Sequence, residues 1–123
     1  MFARRLLGAA LCALTLLAAP VWAHHRSFKG RALYYSDRYI GSTMACGGEY
    51  RPWKMIAAHR RLPCGTKLRV RNLKNGEVVT VTVRDRGPFG TEAKLDVSRR
   101  AAKRLGFYVD GRTMVRARIL HDS

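Results

Sequence analysis

The sequence predicts a small, mainly β barrel, and three features carry that expectation. Lys67–Leu73, Glu77–Arg84 and Thr113–Leu120 alternate apolar and other residues in period 2, the signature of strands with one buried face. Glycine, proline and asparagine punctuate these runs at short intervals, as turns require. One segment alone, Ser98 to about Leu105, carries helix signals: a serine N-cap, Ala101, Ala102 and Leu105 on one side, and Gly106 as the stop. Mostly short strands, one helix and several glycine turns suggest a small barrel.

The elements follow in order. Residues 1–23 read as a signal peptide: Arg4 and Arg5 precede an apolar run, Leu6 to Leu17, too short to span a bilayer comfortably. Val21-Trp22-Ala23 suits cleavage before His24. Cys12 lies inside the apolar run after Leu11, not after the small residue that lipidation demands, so an unlipidated, exported protein with no stable membrane anchor is expected. Residues 24–29 read as a short basic tail; His24 and His25 are taken as solvated rather than copper-binding, and no metal or cofactor is expected. The barrel domain is assigned to residues 30–123, as a monomer. Gly30 to Tyr35 reads as its first strand, Ser36 to Tyr50 as a loop, and Pro52 to His59 as strand or helical turn. Leu62-Pro63-Cys64-Gly65 is a turn, and Asn75-Gly76 predicts a type I′ hairpin between two strands.

Charge and cysteines narrow the setting. Without Arg4 and Arg5, 22 basic residues face 8 acidic ones, leaving +14 on the mature domain. Such a field attracts polyanions, and export makes nucleic acid the least expected of them. Two cysteines remain after the leader, Cys46 and Cys64, and an exported chain predicts that they pair.

The chain is organised around Val78 to Ser98. A β-branched strand runs up to Asp85, breaks at Arg86-Gly87-Pro88, and gives way to a short apolar run, Lys94 to Val97, that contains Asp96. A strand end followed by a rigid loop is a place to hold a reactive side chain at a cleft. Asp85 and Asp96 are therefore the candidate chemical groups.

The motifs together resemble the double-psi β-barrel domain of the rare lipoprotein A (RlpA) family. They are Tyr34-Tyr35, Ala57-Ala58-His59, Leu62-Pro63, Val70-Arg71-Asn72-Leu73, Asn75-Gly76, Asp85-Arg86-Gly87-Pro88-Phe89 and Leu95-Asp96-Val97-Ser98. The resemblance spans about residues 30–120 and implies a six-stranded double-psi barrel with one or two short helices. It further implies a lytic transglycosylase, a lyase acting on peptidoglycan glycan strands stripped of stem peptides. Expansins, which loosen walls without detectable hydrolysis, share the barrel and supply the alternative, a non-catalytic wall-binding module; barwin-type defence proteins are a third class.

Carried over by motif, the family's aspartate falls on Asp85, its histidine on His59, and the aspartate of expansin-type barrels on Asp96. The family glutamate, eleven residues before the histidine, has Gly48 in its place; Glu49, one residue later, is the available substitute. A lytic transglycosylase uses the substrate's own 6-hydroxyl as nucleophile, so one acid that later acts as base is enough, and Asp85 is assigned that role. Asp96, just before a helix start and near Arg99 and Arg100, is expected to be ionised. His59 would bind substrate or tune Asp85. Tyr34, Tyr35, Tyr50, Trp53 and Phe89 offer flat amphipathic rings for sugar stacking, with Arg86 beside them. The expected site is an envelope or periplasmic one, with peptidoglycan glycan strands as partner.

Overall fold

A computed structural model describes residues 26–121; the stretch 1–23 read as a signal peptide and the His24-His25 pair lie outside the described residues. Six strands close into a barrel: β1 (Ser27–Tyr34), β2 (Ile56–Ala58), β3 (Lys67–Asn72), β4 (Val78–Asp85), β5 (Leu95–Val97) and β6 (Thr113–Leu120). Their order around the barrel is β1-β5-β2-β4-β3-β6, which leaves no open edge. Two pairings are parallel, β1 with β5 and β2 with β4; the other four are antiparallel. A 3-10 turn, Asp37–Tyr39, and one helix, α1 (Arg99–Leu105), complete the named elements.

The alternation in β3 and β4 is what fills the barrel. Leu68, Val70, Val81 and Val83 point inward with no exposure, joined by Leu95, Val97, Val115 and Ala117 from β5 and β6. Each fully buried aliphatic side chain of this size contributes about 1.5–3 kcal/mol. Helix α1 plugs one end with Ala101, Ala102 and Leu105. Its cap is the expected one: the Ser98 side chain accepts from the Ala101 N–H, and Gly106 ends the helix at φ 79°, a left-handed conformation that glycine adopts without a side-chain clash. Asn72, buried at the hairpin, ties this end down by donating to Leu105 O at 2.8 Å while accepting from Lys74 N and Thr113 Oγ1.

Two local expectations are corrected. Strand β1 starts at Ser27, not Gly30, because Ser27, Phe28 and Lys29 pair with Arg118, Ala117 and Arg116 of β6, so half of the stretch read as a tail is barrel wall. The Asn75-Gly76 turn is not type I′, which needs positive φ at both residues; only Gly76 has it, at 80°. Asn72 N donates to Glu77 O and Gly76 N to Asn72 O, enclosing a four-residue loop. Asn75 is instead occupied by its side chain, which accepts from Glu77 N and donates to Leu105 O.

A second, smaller core positions the site. Tyr35, Met44, Tyr50, Ile56 and Ala58 are buried together beneath the 36–50 loop. The Cys46–Cys64 disulfide, with Cα atoms 5.8 Å apart, fastens that loop to the turn before β3. It forms as the two-cysteine count predicted.

Candidate active site

Asp85 and Asp96 come together through a three-residue strand. Ala58 of β2 lies opposite Asp96 of β5 on one side and Asp85 of β4 on the other. Two strand spacings separate the two aspartate backbones, about 9–10 Å. On the β4 side the register shifts: Ala57 pairs with Val83 but Ala58 with Asp85, so Arg84 is left over, and such an irregularity re-aims the residue that follows it. Both carboxyls line a cleft of about 380 Å³ with Ala58 on its floor. Its rim is aromatic and stiff: Tyr35 and Tyr39 on one side, the Gly87-Pro88-Phe89 loop on the other, with the Gly87–Pro88 peptide cis. Phe89 is 71% exposed there.

The two carboxyls have opposite surroundings. Asp85 accepts three hydrogen bonds: from Tyr35 Oη at 2.8 Å on Oδ2, and from the Ala45 and Arg86 N–H groups at 2.8 and 2.9 Å on Oδ1. Burial, and then the Asp85 carboxylate, push the Tyr35 phenol far above its ordinary value, so it remains a donor. The ring is held in place by stacking on Tyr50, centroids 4.3 Å apart and planes within 10°. Asp96 has no such company. Its Oδ1 is buried without a hydrogen-bond partner, and burial together with the Asp85 charge raises its pKa from 3.8 to about 6.

The surroundings therefore raise the Asp96 pKa instead of favouring its ionised form, as its sequence neighbours had suggested, and the reason is geometric. The cations next to it in sequence turn away from the cleft. Arg99 pairs with Asp37, and Arg100 donates to Trp53 O at 3.1 Å. Asp96 is thus the carboxyl better able to hold a proton near neutral pH, and Asp85 the one fixed as an acceptor.

The remaining residues sort by position. His59 lies next to Ala58, and its backbone N–H donates to the Asp85 backbone carbonyl at 3.1 Å, but its ring Nδ1 is occupied by the Arg61 and Leu62 N–H groups. Burial, then Arg60, Arg86 and Arg61, lower its pKa, so the ring is neutral near pH 7. Arg86 lines the cleft, yet its guanidinium donates to His59 O and Leu62 O and holds the 59–64 loop. Glu49 is exposed and paired with Arg51 outside the cleft lining. Tyr50 is buried, and its hydroxyl accepts from Arg99 N at 3.2 Å. Tyr34 packs on Tyr108 and donates to its carbonyl. Trp53 is exposed, but in a separate groove against Arg99, Arg100, Lys103 and Arg104. Tyr39, at the end of the 3-10 turn, and Thr91, in the loop before β5, are cleft residues that sequence reading missed; the signal for Tyr39 was an aromatic among polar residues. Among the described residues no cluster of three or more His, Cys, Asp or Glu could hold a metal, and no helix is long and apolar enough to cross a membrane.

A family profile described as "Lytic transglycolase" matches residues 27–117, which includes all six strands' central residues and both aspartates. The chain belongs to this family. Its barrel is of the double-psi type. It is 44% identical over 92 residues to the probable endolytic peptidoglycan transglycosylase RlpA of Aquifex aeolicus, covering 75% of this chain and 41% of that protein. It is 41% identical over 87 residues to the endolytic peptidoglycan transglycosylase RlpA of Pseudomonas aeruginosa, covering 71% and 26% respectively. The chain therefore spans well under half the length of these curated relatives. Among solved structures it resembles the expansin of Clavibacter michiganensis at 28% identity and a TM-score of 0.62, over 79% of this chain and 52% of that one.

Proposed function

We propose that this protein is an endolytic peptidoglycan lytic transglycosylase of the cell envelope, acting as a monomer on glycan strands. The observation that carries the reading is the buried, unpartnered Asp96 carboxyl beside a fully bonded Asp85 at the floor of an aromatic-rimmed cleft. Asp96 donates its proton to the glycosidic oxygen as the bond to the muramyl C1 breaks. The muramyl 6-hydroxyl closes onto C1 to form the anhydro ring, and its proton passes to the Asp96 carboxylate. The net change is transfer of one proton from the 6-hydroxyl to the leaving oxygen, so no water and no second nucleophile are consumed. Asp85, locked as an acceptor by Tyr35, Ala45 and Arg86, faces the positive charge that develops on the ring. Phe89, Tyr39 and Tyr35 give the sugars flat faces to stack on. The names of the relatives support this substrate and reaction.

The test is mass spectrometry of peptide-stripped glycan strands after incubation with the protein. Anhydromuramic ends are expected from wild type, with a loss of about 10²–10⁴ in rate for Asp96→Asn, as for removal of a general acid. Products forming at wild-type rate in Asp96→Asn would refute the assignment. The position of Glu49 outside the cleft favours a second reading, an expansin-like module that binds without cleaving. Binding with no products from wild type would select it.

A further inference from the structure

The opposite wall of the barrel carries a feature that the cleft does not use. Arg69 and Arg71 of β3 stand directly across from Arg118 and Arg116 of β6, all four exposed on the outer face. Together they line a shallow groove of about 320 Å³ to which no other residue contributes. Lys29 of β1, opposite Arg116, and Lys67 at the start of β3 extend the same face. Like charges directly opposite across a ladder are destabilising. Among the described residues the four ion pairs are Arg31–Glu92, Arg51–Glu49, Lys74–Asp110 and Arg99–Asp37, so none relieves these six cations. Glu77, the acidic residue nearest in sequence to this end of the hairpin, enters none of the four pairs. Arg71 spends one N–H on Gly76 O at 3.3 Å. The cost is offset when an external anion lies between the facing guanidiniums.

We propose that the outer face of β3 and β6 binds a linear phosphodiester polyanion that lacks bases and acyl chains, such as a glycerol-phosphate polymer. The backbone positions of the four arginines form a grid of two facing pairs, about 4.8 Å across the strands and about 6.7 Å along them, from which the guanidiniums extend. Guanidinium forks bind phosphate oxygens bidentately, and a phosphodiester chain repeats its charges at a spacing of the same order as the longer side. The exposed aromatic rings, Tyr39, Trp53 and Phe89, all lie elsewhere, so bases find no stacking platform on this face. The exposed apolar side chains at this edge of the face, Met114 of β6 and Leu73 just after β3, are too few to anchor a bilayer. In the closed strand order β3 and β6 lie across the barrel from β5 and β2, so the face holds its ligand while the cleft is free to take a glycan.

The experiment measures binding of poly(glycerol phosphate) across a salt series. It compares wild type, the fourfold variant Arg69→Gln/Arg71→Gln/Arg116→Gln/Arg118→Gln, and a charge control, Lys54→Gln/Arg104→Gln. The fourfold variant is expected to bind at least tenfold more weakly at physiological salt. Its slope of log K against log salt should be shallower by about three, four contacts at about 0.7 each. The control should keep most of the wild-type slope. Relief of the facing charges predicts a melting temperature no lower than wild type, and Arg69→Gln/Arg118→Gln tests half the effect in a milder change. Cleavage or binding of stripped glycan should be unchanged in the fourfold variant, which separates this face from the cleft. Equal weakening per charge in the control would overturn the proposal by reducing it to net charge. Single-stranded DNA or phosphatidylglycerol vesicles binding more tightly than the polymer, through the same four arginines, would also overturn it.

Discussion

Replacing Asp96 by asparagine should stabilise the protein while slowing the proposed reaction by about 10²–10⁴. The folded Asp96 carboxyl titrates at about 6, against 3.8 when unfolded, because it is buried and faces Asp85. The sign follows directly. Below pH 3.8 both states are protonated and the group contributes nothing. Between 3.8 and about 6 the unfolded chain loses its proton first, so stability falls as pH rises. Above about 6 the full penalty is present, at about 1.4 kcal/mol per pH unit of the interval, or at most about 3 kcal/mol. The cleft is open to water, which lowers the expected figure to about 1–2 kcal/mol. Asparagine keeps the shape and carries no charge to desolvate. Urea melts of wild type and Asp96→Asn from pH 3 to pH 8 should coincide below pH 3.8, diverge up to about pH 6 and stay a constant distance apart above it, with the variant more stable. In an Asp85→Asn background the divergence should be smaller and level off at lower pH, because burial alone then raises the carboxyl. A variant that is less stable than wild type at every pH, or a difference that does not change with pH, would refute the argument.

Two further outcomes follow from the site's scaffold. Tyr35→Phe removes the hydroxyl that donates to Asp85 at 2.8 Å but keeps the ring stacked on Tyr50, so kcat should fall about tenfold with the melting temperature little changed; an unaltered kcat would exclude a positioning role. Reducing the Cys46–Cys64 bond frees an 18-residue separation worth about 3 kcal/mol on the chain-entropy model, and it loosens the loop whose Ala45 N–H holds Asp85. Melting temperature and activity should therefore fall together, which calorimetry and product analysis with and without reductant will show.

The parts of the fold legible in sequence were those set by local pattern. Val79, Val81 and Val83 announce their strand by alternation, and Ser98 and Gly106 bracket the helix with the residues its ends require. β2 was ambiguous because Ile56, Ala57 and Ala58 are all buried, which leaves no period to read. The β1 start was missed because Ser27 to Lys29 are ordered by β6, some ninety residues away in the chain. The site followed the same division. Asp85 and Asp96 were visible as two carboxylates around a break, but their environments were not. The groups that decide Asp85, Tyr35 and Ala45, are 50 and 40 residues distant. Arg99 and Arg100 misled for the converse reason: nearness in sequence said nothing about direction once the chain turned from β5 into α1.

That contrast explains how two identical side chains in one cleft can do different work. A carboxyl surrounded by three donors has both oxygens committed and serves as a fixed acceptor; one with a buried, unbonded oxygen beside a like charge holds a proton it can release. Neither property belongs to the aspartate itself. Each is conferred by the strand it ends or interrupts: β4 stops at Asp85 among the N–H groups of two loops, whereas β5 buries Asp96 between β1 and β2. Ala58 keeps the space between them open because its side chain is a single methyl. β2, parallel to β4 and antiparallel to β5, lies between the two carboxylate strands and brings both aspartates beside one residue, Ala58.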